Sequence, residues 1–153
     1  MKDSFTLLEL IFVLIIVIIL STLLLKNVFY KSIDKSNIAK IRSEVFLIRT
    51  VINLNYHKQV LSNQVAKYVD ILDMSANNKE KQYLFTRTKK DPLLDTIILS
   101  SKNSDKKDAS WIKTAKNTYK VFVKDVWVVF KYNNNTGIFS CNYDEKLCKE
   151  LSE

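Results

Sequence analysis

Four patterns of apolar and polar positions divide the chain. From Phe5 to Leu25 every residue is apolar except Thr6, Glu9, Ser21 and Thr22. Twenty-one residues at about 1.5 Å each give a helix of about 31 Å, the thickness of a bilayer's hydrocarbon core. From Lys26 to about Leu61 the pattern becomes amphipathic. Ile38, Ile41, Val45, Ile48 and Ile52 recur at intervals of three and four, with Lys40, Arg42, Glu44 and Arg49 between them. Neither Pro nor Gly interrupts, so one helix is predicted to run through both segments. Its first half would meet lipid or sister subunits, and its second half would lay the Ile/Val stripe on a sheet.

Residues 62–110 carry no sustained period and read as loops. "NQVAKYVDILDM" is predicted as a second short helix, while "SANNKEKQ" and "SSKNSDKKDAS" read as exposed turns. "YLFT" and "TIILS" fit short strands or helix ends equally well. The last third is rich in β-branched and aromatic residues, in "TYKVFV", "VWVVFKY" and "GIFSCN", with "NNNTG" separating the last two. An antiparallel sheet over about 111–142 and a C-terminal tail follow. The predicted class is α+β, a long N-terminal helix packed on a small antiparallel C-terminal sheet.

Composition sharpens this picture in two ways. Gly137 and Pro92 are the only residues of their kinds, so Asn, Ser, Asp and Lys must make most turns. From Lys31 onward 22 Lys plus Arg face 14 Asp plus Glu, so the part beyond the apolar run carries the whole net charge of +8. A basic exterior of this kind is a solvated surface or a site for an anionic partner.

A signal peptide is a poor match for the apolar run, which is too long and leads into "STLLLKNVFY" with no small-residue cleavage site. Glu9 is its unusual feature, since an ionised carboxylate in apolar surroundings costs a few kcal/mol. The run contains no Lys or Arg to offset it. A cut between Ser4 and Phe5 would create an amine at Phe5, and packed subunits could bring that amine to a neighbour's Glu9.

The stretch "S|FTLLELIFVLIIVIIL" resembles the N-terminus of type IV pilins and type II secretion pseudopilins. The resemblance covers Phe5 to about Leu20. It implies that residues 1–4 are a leader removed by prepilin peptidase after Ser4, that Phe5 becomes an N-methylphenylalanine, and that Glu9 is the assembly glutamate. Residues 5–25 would then be the transmembrane and assembly half of the helix. Residues 26–153 would be a pilin-like periplasmic domain, with the protein a single-pass subunit of the inner membrane. Ser4 stands where the family usually has Gly. The mid-segment Gly and Pro common in major pilins are missing, which favours a minor pilin or pseudopilin. A positive-inside count of Lys26, Lys31 and Lys35 would place the far side in the cytoplasm; the resemblance supplies the opposite orientation.

Cys141 and Cys148 could close a disulfide in an oxidising periplasm, as C-terminal loops of many pilins do, or remain two free thiols. Zinc fits poorly, because His57 is the only histidine. His57 has no recognisable nucleophile or acid around it in sequence, and one Gly cannot build a phosphate loop. "KKDPLLD", "NSDKKD" and "NYDEKLC" lack the alternating oxygen ligands of a calcium loop. No enzyme and no cofactor are expected. Aromatics interleave with lysines near the sheet, and Trp111, Lys113, Lys116 and Lys120 are candidate DNA contacts. The function these readings imply is structural: a subunit of a type II secretion or type IV pilus-like filament, serving protein secretion or DNA uptake for competence. Its partners would be prepilin peptidase, other pilins, the membrane lipid and an inner-membrane platform with its ATPase. The alternative is a membrane-anchored protein that does not polymerise and whose basic domain binds DNA or another anion.

Overall fold

A computed structural model of the chain describes residues 7–86, 93–94, 96–102 and 105–153, with the side chains of residues 26–31 not described. Helix α1 spans Leu7–Leu61 without interruption. Two compact units result, one ending at Ser36 and the other covering Asn37–Glu153. In the first, Leu7–Leu25 is apolar enough to cross a membrane, with mean hydropathy 3.1 and none of the window buried by the protein itself. Its two hydroxyl groups are satisfied within the helix, Ser21 Oγ donating to the Val17 carbonyl and Thr22 Oγ1 to that of Ile19. Such internal satisfaction lets a polar side chain sit among lipid tails at low cost.

The second unit begins on the amphipathic part of α1. Ile38, Ile41, Val45, Ile48 and Ile52 are all buried, as their spacing requires. The helix stops without a glycine. Asn63 takes the left-handed conformation (φ 54°). Gln64 N–H then reaches the Gln59 carbonyl at 3.1 Å and Asn63 N–H that of Val60 at 3.2 Å. This pair of bonds is the Schellman arrangement, with Asn in the place where Gly is commonest.

Two short strands, β1 (Tyr83–Leu84) and β2 (Ile98–Leu99), pair antiparallel. A four-stranded meander follows, built from β3 (Ser110–Ala115), β4 (Thr118–Val123), β5 (Val126–Asn133) and β6 (Ile138–Cys141). The strands lie in chain order and every neighbouring pair is antiparallel. A seven-residue helix, α2 (Lys146–Ser152), ends the chain. The α+β class is therefore as expected, an N-terminal helix followed by a small antiparallel sheet.

Turn chemistry shows how a chain with one glycine closes three hairpins. Asn117, Lys124 and Asp125 all have φ between 50° and 60°. Lys124 and Asp125 together make the two-residue turn between β4 and β5, the positive-φ geometry that matches strand twist. Gly137 (φ 71°) closes the β5–β6 turn, its N–H donating to the Asn133 carbonyl at 2.8 Å. One face of the sheet joins the α1 stripe in a single core. Phe85, Trp111, Tyr119, Phe130 and Phe139 form its centre, with ring centroids 4.6–6.3 Å apart in tilted, edge-on and stacked arrangements.

Two expectations change. "NQVAKYVDILDM" is not a helix but an irregular strap. Its backbone groups are engaged by the sheet instead: Asn117 Nδ2 donates to the Asp70 carbonyl at 2.7 Å, and Tyr132 hydroxyl to that of Val69 at 2.8 Å. "SWIKTA" forms β3, at the start of the sheet expected over about 111–142, whereas the tail forms a helix, α2, which no N-terminal capping side chain announces.

Candidate functional site

Glu9 lies in the first turn of α1, where the helix dipole favours a carboxylate. It is an exposed position within the apolar span. The expected cleavage site, Ser4 and Phe5, and the leader lie outside the described residues.

The C-terminal end is held by covalent and charged clasps. Cys141 at the end of β6 and Cys148 in α2 are joined by a disulfide, with Cα atoms 5.8 Å apart. Arg42 on α1 donates from Nε and Nη2 to the Glu150 carbonyl at 3.0 and 2.6 Å. Two turns further along α1, Arg49 donates to the Phe139 carbonyl at 2.9 Å and the Ser152 carbonyl at 3.0 Å. The last carbonyls of a helix have no partner within it, and here α1 guanidinium groups supply the donors.

A second, buried polar cluster holds the strap to β3 and β4. Lys113 Nζ meets Asp73 Oδ1 at 2.7 Å, and also donates to the carbonyls of Asp73 and Ser75, both at 2.9 Å. All three ammonium protons are thereby used. Asp73 further accepts from Ser75 N–H at 3.0 Å, Ser75 hydroxyl, Phe85 N–H at 3.3 Å and Tyr119 hydroxyl at 2.6 Å. Burial, then the charge and hydrogen bond of Asp73, hold the Tyr119 hydroxyl far above the ordinary tyrosine range. Phe85 is fully buried in the left-handed conformation (φ 57°), a costly state for an aromatic residue. Its bond to Asp73 fixes it there.

This geometry corrects two of the candidate DNA contacts. Trp111 is 1 % exposed and Lys113 5 % exposed. The Trp111 indole donates to Glu44 Oε2 at 2.7 Å, and Lys113 is fully engaged with Asp73. Both lie on the inward side of β3, Trp111 opposite Val121 and Lys113 opposite Tyr119, two residues of the core. Lys116 is exposed in the β3–β4 turn, and Lys120 is half-buried on the opposite face of the sheet. The inward parity shared by Trp111 and Lys113 was the available signal; a lone lysine in register with a core tryptophan needs a buried acid. His57 is exposed, edge-on to Tyr56 at 5.8 Å.

Burial pushes the Glu44 carboxyl above its usual range, with the Trp111 indole and Lys40 opposing that shift. Lys40 stands 3.9 Å from Glu44 and donates to the Ala109 carbonyl at 3.1 Å. These contacts tie α1 to β3 and the residue before it. Taken together, the described residues define an α+β protein with one N-terminal apolar helix and a sheet domain clasped at its C-terminus. No protein-family model matches the sequence, and neither a curated protein nor a solved structure matches it significantly.

Proposed function

We propose that the chain is a pilin-like subunit, a pseudopilin or minor pilin, that is inserted as a single-pass precursor and assembled into a filament after cleavage behind Ser4. The observation that carries this reading is a single carboxylate, Glu9, in the first helical turn of an otherwise uncharged apolar span, four residues after Phe5. Processing would expose an amine at Phe5. Lateral packing would bring that amine to Glu9 of a neighbour, and a charge pair inside an apolar setting is favourable only when its geometry is good. Helix contact would thus be coupled to correct register along the filament. The domain beyond the span would lie in the periplasm, where a disulfide persists. Secretion and DNA uptake remain the two services such a filament could perform.

Mass spectrometry of the N-terminal peptide, from membranes with and without prepilin peptidase, tests this reading. A peptide starting at N-methylated Phe5 is expected. An intact Met1 start in the presence of active peptidase would overturn it in favour of a plain membrane anchor. Glu9→Leu should remain in the membrane yet fail to enter filaments, and normal assembly of that variant would remove the charge-pairing mechanism.

A further inference from the structure

The face of the sheet turned away from α1 carries chemistry that neither the membrane span nor the core uses. Strand alternation places Lys120 of β4 and Trp127, Val129 and Lys131 of β5 on it. Lys120 pairs with Val129, Phe122 with Trp127 and Thr118 with Lys131. Lys120 is therefore a diagonal neighbour of both Trp127 and Lys131, about 7–8 Å away across the ladder. Lys116, in the adjoining turn, is exposed. No Asp or Glu occupies an outward position of β4, β5 or β6. Lys116, Lys120 and Lys131 have no carboxylate partner among the described residues, whereas Lys40, Lys102, Lys113 and Lys124 each have one.

Trp127 is braced from one side, its ring centroid 4.9 Å from that of Phe122, and remains partly exposed. Ile112 and Phe122 of this face are buried, but Trp127 stays partly exposed and Lys131 exposed. A braced indole beside uncompensated lysines matches the requirements of an unpaired nucleic acid strand: a ring for a base to stack on and cations for the flanking phosphates. A duplex could use the lysines but not the ring, because its bases are already stacked. An acidic polypeptide would likewise leave the ring without a role.

We infer that this outward sheet face is a docking surface for single-stranded nucleic acid, with Trp127 as the stacking platform and Lys116, Lys120 and Lys131 as phosphate contacts. The surface is independent of filament assembly and stands or falls apart from it. Three phosphate contacts predict that log affinity falls with log salt at a slope of about −2 for a single strand.

The test uses the full chain in nonionic detergent, a fluorescently labelled oligothymidylate and a salt series read by anisotropy. Binding at low salt with that slope is expected. Lys120→Gln combined with Lys131→Gln should bring the slope to about −0.7, since one contact remains. Trp127→Leu should weaken binding roughly 5- to 150-fold with the slope unchanged, the range expected for one lost base stack. The chain has two tryptophans, so the emission of the remaining Trp111 reports whether that variant keeps its core. Absence of binding at low salt would overturn the inference, as would variants that keep the native affinity and slope. If unlabelled duplex or polyglutamate displaces the probe as well as unlabelled oligothymidylate does, the face is a general anion surface and the single-strand assignment fails.

Discussion

Gly137→Ala tests how closely Tyr68 packs over the β5–β6 turn. At φ 71° an added Cβ enters a region that L residues adopt at a cost of about 1–2 kcal/mol. The same Cβ would lie 2.3 Å from Tyr68 Cε1, 2.5 Å from Cδ1 and 2.7 Å from Cζ. Relief requires the ring to retreat by about 1 Å, because unstrained carbon contacts lie near 3.5 Å. Tyr68 has little freedom to do so. Its ring stacks on Tyr56 at 4.4 Å. Its neighbours are also fixed, Lys67 N–H by Gln59 Oε1 at 2.9 Å and the Val69 carbonyl by Tyr132. Loss of the stacked pair adds about 0.5–1.5 kcal/mol. The expected total is about 2–3 kcal/mol, read as a shift of the urea midpoint for the full chain in detergent. In a Tyr68→Ala background only the backbone strain should remain, so the cost should fall to about 1–2 kcal/mol. Equal costs in both backgrounds would show that the ring does not press on Gly137, and the reasoning would be wrong.

Lys113→Met should cost about 3–5 kcal/mol by leaving the Asp73 carboxylate buried without its cation, whereas Lys120→Met, the same change on the outward face, should stay within about 0.5 kcal/mol; denaturant midpoints compare them directly. Stability should fall above about pH 10. The unfolded chain releases its phenolic protons there, while folded Tyr119 is held far higher and Tyr132 is pushed up to about 12, first by burial and then by Tyr68 and Asp70. Tyr132→Phe should flatten that decline between pH 10 and 12, and an unchanged profile would refute its part in it. Glu44 has the raised carboxyl, so its folded form holds a proton that the unfolded form has lost, and that stability disappears as pH rises through the folded pKa. Glu44→Gln, which keeps an acceptor for Trp111, should therefore be the more stable protein at pH 7, with its advantage vanishing below about pH 4. Reduction of Cys141–Cys148 should lower stability by about 2.5 kcal/mol, the chain-entropy value for so short a loop, and a Cys148→Ser variant should no longer respond to reductant.

The parts of this fold that sequence reveals are those governed by a period. The α1 stripe from Ile38 to Ile52 is buried as its spacing demands, and the helix ends at Leu61 because the next residues can form a left-handed cap. Strands β4, β5 and β6 follow from β-branched and aromatic runs. The strap at 63–74 defeats the same logic. Its apolar residues Val69 and Leu72 fit a helical spacing, yet Asn117 and Tyr132, far along the chain, offer its backbone better-placed partners than an isolated turn of helix would. Local pattern cannot register a donor that arrives from more than forty residues away. Helix α2 was hidden for a related reason: seven residues without a capping side chain form no stable helix alone, and Arg42, Arg49 and the disulfide provide the stability.

Lysine is where sequence reading and structure diverge most usefully. Spacing alone groups Lys113 with Lys116 and Lys120 as one basic, aromatic-flanked patch. Folding separates them by parity. Lys113 turns inward, where its charge must be matched by Asp73 and its protons by two carbonyls, and so it fixes the strap and the strained Phe85 in place. Lys120 turns outward beside Trp127 and Lys131, where no carboxylate answers it among the described residues. The same residue type therefore serves cohesion on one face and stands without a carboxylate partner on the other. A basic net charge predicts neither role by itself, because what decides is whether the fold supplies the counter-charge.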